Sequence, residues 1–544
     1  MKKHNFRFYL LISLIALLYM LALSSCDYFY DDTDNDSETE SENYVESSTV
    51  TEDLNYENVP YSSGLSYVMN ADGRSYRCIG LGSCTDETVS IPPTYNALPV
   101  TQLGEPVGNG KLLWAGVKTL ILPKGITVAY GFLRDVESLT TLVIGEGAII
   151  DESAFYYAEN LKTAICGDNV IIEQCAFAYC FKLESVTLGK GVELKQYAFM
   201  SCDSLTDIDI PGGIKTIPTG LFSGCKVLES ITLPETVTRI NPSAFSGCVS
   251  LQNINMPKGL ISLGDSVFNG CSSLTEIVLP ESVEYIGNSV FQGCTSLESV
   301  DLPASVDNFG TWSFVDCHSL IEVSLPENIT EIPYATFENC YKLETVKIPD
   351  GVFAIRYGAF LNCKSLKELE LPKNVTVLEA DAFGGCASLE KMNIPEMLTT
   401  IGDSCFSGCI KLEGLYIPET VTTLGFSAMS DSSLKKISVP GTVKTIEAYT
   451  FSFCQELTEV VLSEGIRKIC ANSFIECKKL EYLYIPATVT EIEDFIFTTG
   501  ALKQINYGGT VEQWEKINKT YWAAGSSLET VICSNGTVEV VIPE

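Results

Sequence analysis

Residues 228–248, Leu-Glu-Ser-Ile-Thr-Leu-Pro-Glu-Thr-Val-Thr-Arg-Ile-Asn-Pro-Ser-Ala-Phe-Ser-Gly-Cys, read as L-x-x-I-x-L-P-x-x-V-x-x-I-x-x-x-A-F-x-x-C. The alternation at the start predicts a short strand in which Ile231 and Leu233 point inward while Ser230 and Thr232 point out. Pro234 cannot donate to a ladder and fixes its own φ, so the strand ends there. The chain then turns and brings Val237 and Ile240 back under the neighbouring layer. Such a segment is too short to bury a core alone, and it becomes stable only if copies of it stack.

Copies follow in both directions. From Val117 to Gly500 the pattern recurs every 22 or 23 residues, about seventeen times, and its Phe defines the register from Phe132, Phe155, Phe177 and Phe199 through to Phe497, with Met429 in one place. Sixteen of the 25 Phe residues fall in this column, so most of the aromatic content is assigned to one continuous core. The expected fold is a repeat solenoid poor in helix, with one parallel strand per 22–23-residue unit and short turns or 3-10 segments on the convex side.

The unit, repeated in Leu274–Cys294 and Leu366–Cys386, resembles the BspA-like branch of bacterial leucine-rich repeats. The resemblance covers roughly seven-tenths of the chain and implies a right-handed coil. The flanks are similar to the family's ends: Gly64-Leu65-Ser66-Tyr67, Asn70-Ala71-Asp72-Gly73 and Ile91-Pro92-Pro93 before the array, and Tyr507-Gly508-Gly509-Thr510 with Trp514, Ile532 and Cys533 after it. Physically both are end caps, because a solenoid must cover the apolar faces of its terminal coils. The predicted organisation is 64–116 for the first cap, 117–500 for the array and 501–544 for the second cap.

Residues 1–25 open with Lys2, Lys3 and Arg7 and an apolar run from Tyr9 to Ala22, followed by Leu23-Ser24-Ser25-Cys26. This order resembles a bacterial lipoprotein signal, which would make Cys26 the lipidated first residue of the mature protein and the sole membrane attachment. Residues 26–63 are acidic and poor in aliphatic side chains, as in a disordered tether. With 69 acidic against 35 basic residues the chain carries a net charge of -34. That balance opposes a nucleic-acid partner, whose phosphates are bound by Lys and Arg.

Chemistry-bearing residues are mostly absorbed by the repeat. Thirteen of 21 Cys residues occupy its last place, where Asp135, Ala158, Ser432 and Gly500 stand in other units, so they read as small buried thiols. Cys78 and Cys84 in the first cap are the exception, as candidates for a disulfide. No C-x-x-C occurs after residue 26, and His318 is the only His beyond His4. No metal site, cofactor site or catalytic group is expected, and a Cys317–His318 dyad would require a core thiol to face an exposed ring.

Function is left to the outward strand positions, which change along the array. Ile121, Val143 and Ile165 are expected under the first cap, the middle holds Lys347, Glu370 and Asn393, and the last third gathers Tyr416, Tyr482 and Tyr484. Tyr is enriched at protein interfaces and also stacks on sugars, so these six residues form the candidate ligand surface. The expected role is non-catalytic: binding or adhesion at the cell surface, which the family resemblance would direct to a host matrix, mucosal or bacterial protein. Capture of a polysaccharide is the second class, and a glycan-acting enzyme with a pair of facing carboxylates the third.

Overall fold

A computed structural model describes residues 59–541, apart from 106–109 and 498–499. The signal-like segment, Cys26 and most of the acidic tether lie outside the described residues. The array is a parallel β-solenoid in which each coil contacts the coil before it and the coil after it. The outward-facing strands stack in register, as in Thr119–Leu122, Thr141–Ile144, Thr163–Cys166 and Ser185–Thr187. Ile231 and Leu233 are buried and Ser230 and Thr232 exposed, as the alternation required.

A second strand ladder accompanies the expected one. The V-x-x-I part of each unit ends in a two-residue strand, such as Arg239–Ile240, paired in parallel with Thr216–Ile217 before it and Ser262–Leu263 after it. Two residues are too few to show an alternation, so the sequence pattern registers only their buried Ile. This ladder is interrupted three times, after Glu193–Leu194, after Asn308–Phe309 and after Thr423–Leu424. The first interruption falls where the spacing of the two core residues changes, from Val192-x-Leu194 to Ile214-x-x-Ile217.

The third side of each coil is a turn with two residues in the left-handed region, for example Ser243 at φ 58 and Gly247 at φ 75. Between them the backbone donates to the following coil: Ser243 N–H to Asp265 O at 2.8 Å, Phe245 to Val267 at 3.1 Å and Gly247 to Asn269 at 2.7 Å. Left-handed backbone favours Gly, Asn and Asp, which explains the recurring small and polar residues around each Phe.

Inside, Phe155, Phe177 and Phe199 begin a column of nearly parallel, stacked rings, with Phe155 and Phe177 5.4 Å apart at 4°. The first unit corrects the expected register by one residue. Leu133 N–H donates to Ala154 O as Phe155 N–H does to Ala176 O, so Leu133 holds the Phe place and Val136, not Asp135, the Cys place. Met429 is fully buried in the same column.

The ends are closed by antiparallel pairs. Ser66–Met69 pairs with Tyr76–Gly80 across a turn in which Asp72 Oδ1 accepts from the N–H of Arg74 at 2.8 Å and of Ser75 at 3.1 Å. At the other end Thr530–Cys533 pairs with Gly536–Glu539. The N–H groups of Phe495 and Ile496 donate to the carbonyls of Tyr521 and Trp522. The helix Val511–Glu515 carries a capping box from Thr510 and Gln513, which satisfies two of its free N-terminal donors. Among the described residues no helix is long and apolar enough to cross a membrane.

Candidate binding faces

The strand register places the predicted ligand residues on one face. Ser438, Val461, Tyr484, Asn506 and Ile532 form one column. Gly414 bridges Lys436, which sets Tyr416 beside Ser438. Tyr416 is therefore three rungs from Tyr484, about 14 Å at the usual strand spacing of about 4.8 Å. Tyr416 is 60% exposed and Tyr482 40%, whereas Tyr484 is half-buried. The Tyr484 hydroxyl lies so close to Gly508 that a side chain there would meet it at 2.4 Å. The three tyrosines share a face, and two of them share a strand.

The middle residues have partners of their own. Lys347 Nζ is 3.0 Å from Glu327, and Glu370 is exposed. Asn393 accepts from Leu371 N–H at 2.7 Å and donates to Leu371 O at 2.8 Å. Its amide thus adds one more rung where Glu368–Leu369 and Lys391–Met392 are only two residues long. Asn255 does the same to Leu233. Ile121, Val143 and Ile165 are half-buried side by side, and the cap joins them as a further rung, with Ser90 beside Ile121.

Around the middle of this face the charge is unbalanced. Lys–carboxylate pairs join neighbouring coils on both sides, among them Lys226–Asp203 before and Lys347–Glu327 and Lys367–Glu344 after. Between residues 227 and 326 no Lys or Arg ion pair occurs among the described residues. Within that interval Val278 is 81% exposed, with Glu276 on its own strand, Asp301 beside it on the next and Glu322 two rungs away. The setting of Val278 emerges only from the register.

The turn side carries aromatic residues that the strand pattern missed. Tyr156, Tyr157, Tyr179 and Phe181 lie with centroids 5.2–6.5 Å apart, and Arg134 packs 4.5 Å over Tyr156. The signal was available: Phe-Tyr-Tyr at 155–157 and Tyr-Cys-Phe at 179–181 replace the Gly, Ser and Asn of most other turns.

The thiol column is wholly internal. All thirteen repeat Cys are buried and unpaired, as are Cys78 and Cys84. Each thiol of the column points at the preceding coil: Cys180 Sγ donates to Phe155 O at 3.3 Å, and Cys477 Sγ to Phe451 O at 3.0 Å. Burial pushes Cys180, Cys225 and Cys294 up to about 12, so they stay protonated. Cys317 follows the same rule, and His318 instead stacks on Tyr341 at 4.7 Å and 15°. Among the described residues no group of three or more His, Cys, Asp or Glu is placed to hold a metal ion.

This two-ladder coil with one internal Phe per unit is reflected in a sequence profile, the BspA type leucine rich repeat region, which matches in overlapping stretches from residue 117 to residue 540. The chain belongs to the BspA-type leucine-rich repeat family. It is similar to a leucine-rich repeat protein from Bacteroides ovatus, at 26% identity and a TM-score of 0.54 over 75% of this chain and 100% of that one. It also resembles a leucine-rich repeat protein from Eubacterium ventriosum (19% identity, TM-score 0.40, 69% and 95% covered). A third is a leucine-rich cell surface protein from Faecalibacterium prausnitzii (23%, 0.33, 85% and 98%). No match was found among curated proteins. As in other BspA-type arrays, the family places the chain among leucine-rich repeat proteins of bacterial surface type without fixing a partner.

Proposed function

We propose that this protein is a non-catalytic, lipid-anchored cell-surface binder whose strand face recognises a protein on a host or bacterial surface. One observation carries the reading: the inward columns are nearly constant while the outward columns vary, and at mid-array they present exposed Val278 among Glu276, Asp301 and Glu322. An exposed apolar residue rimmed by charges without ion-pair partners is the composition of an interface core and its rim. Lys347, Glu370, Tyr416, Tyr482 and Tyr484 extend the same face, and Cys26 would hold it at the membrane.

The test is a pull-down of the mature chain on immobilised matrix proteins and whole bacterial cells, beside a glycan array. Val278→Arg should weaken protein capture at least tenfold while leaving the melting temperature unchanged. Binding to glycans alone would remove this reading. For the anchor, Cys26→Ala should release the protein from the membrane fraction; unchanged partitioning would place the attachment elsewhere.

A further inference from the structure

The last interruption of the short-strand ladder, after Thr423–Leu424, opens a groove that no part of the protein–protein reading uses. Along this ladder each coil donates to the one before: Thr422 N–H to Thr399 O at 2.9 Å, Gly425 to Ile401 at 2.9 Å and, further on, Arg467 to Lys444 at 2.9 Å and Cys470 to Ile446 at 2.9 Å. No such bond joins 444–447 to 422–425. The interruption coincides with a change of period, since 23 residues separate Phe406 from Met429 and 22 separate Met429 from Phe451. Carbonyls of one coil and N–H groups of the next are thereby left facing a groove of about 420 Å³. Thr422, Lys444 and Glu447 are exposed, so these groups are open to solvent and available to a ligand.

The walls are built for a polyhydroxylated ligand. Thr422, Thr423 and Thr445 supply hydroxyls, Asp403 and Glu447 carboxylates, and Phe426 an exposed ring held edge-to-face on Tyr449 at 5.4 Å. Gly425 stands where Glu447 stands one coil later and, one coil earlier, is matched by Gly402, where the backbone packs closely on the preceding coil. A side chain on Gly425 would lie 2.4 Å from Asp403 N, and one on Gly402 2.5 Å from Ala380 N, so neither place admits a Cβ. The volume falls in the range of roughly 300–1,000 Å³ common to small-molecule sites. Sugar hydroxyls both donate and accept, matching the mixed backbone edge, and the C–H face of a pyranose packs on an aromatic ring.

We propose that the groove between Thr422–Phe426 and Lys444–Glu447 binds one or two units of a neutral saccharide, stacked on Phe426 and hydrogen-bonded to the unpaired ladder edge. It is a site separate from the strand face, so the protein would hold a glycan and a protein partner at once. Of the other two interruptions, the one near Gly191–Lys195 and Gly212–Ile214 has no aromatic wall, and neither it nor the one between Asn308–Phe309 and Glu331–Ile332 is assigned a ligand.

The experiment titrates the mature chain with three probes, tetramers of N-acetylglucosamine, mannose and glucose, with tetralysine as the charge control. At least one sugar should bind, and hydrogen exchange of the peptide covering 444–447 should slow on binding while that of 276–301 does not change. Phe426→Ala should weaken the same sugar at least tenfold, with Tyr285→Ala, exposed on the same ladder several coils earlier, without effect. Exchange is read on the unaltered chain, so a variant that misfolds does not blunt the test. The proposal is overturned if no sugar binds at about 10 mM, if only tetralysine binds, or if protection appears elsewhere. Loss of sugar binding with protein capture intact keeps the two functional readings apart.

Discussion

Cys317 Sγ donates to the carbonyl oxygen of Phe291 at 3.1 Å, linking the thiol of one coil to the core ring position of the coil before it. The same bond recurs at all thirteen repeat Cys, so sulfur does more here than fill space. Phe291 O also accepts from Cys294 N–H at 3.1 Å, so losing the thiol removes one of two donors at a cost of no more than about 1 kcal/mol, and removing the sulfur adds a small cavity. Cys317→Ala should therefore destabilise by about 1–2 kcal/mol and Cys317→Ser by less. Equal losses in urea denaturation would assign the column to volume alone.

Because burial holds these thiols protonated, a thiol reagent at pH 8 should label almost none of the twenty described Cys in the folded chain and all of them in denaturant. Rapid labelling of more than a few in the native state would contradict the packing.

The Asn393 amide is expected to act on stability. Asn393→Ala removes both bonds to Leu371 and should cost about 1–2 kcal/mol, whereas Glu370→Gln one coil earlier should cost almost nothing. Melting curves of the two variants decide between a ladder role and a ligand role for Asn393.

Acidic residues on the turn side set a pH dependence. Burial and then the charges of Asp316 and Asp381 raise Glu338, and burial and then Asp403 raise Asp381. A carboxyl raised in the folded state stabilises most when protonated, and that contribution is lost as pH rises through its folded value. Glu493, lowered chiefly by its bond to Lys468, works in the opposite sense: its contribution is present above the ordinary carboxylate range and lost as pH falls through its folded value. Glu338→Gln with Asp381→Asn should raise the melting temperature at pH 7 and change it little at pH 4. A gain of the same size at both values would show that charge is not the cause.

Much of this architecture was legible in the sequence because inward positions repeat with few exceptions of kind. Leu228, Ile231, Leu233, Val237, Ile240 and Phe245 are all buried as read. What escaped depended on geometry without a composition signal. Arg239–Ile240 is too short to look like a strand, the left-handed residues Ser243 and Trp312 share a conformation but no chemistry, and Leu133 holds the place expected for Phe132. The outward column could be listed from the sequence, but the distance from Tyr416 to Tyr484, the pairing of Lys347 with Glu327 and the groove beside Phe426 required the stacking itself.

The bonds of each coil in the run from Phe199 to Met429 go to the coil on either side, and each 23-residue unit presents the next with the same carbonyls, thiol and ring. A gene segment encoding one unit can therefore be duplicated or lost without any contact having to be invented. Array length is free to drift in such a lineage, and with it the number of outward residues on which selection for a new ligand can act.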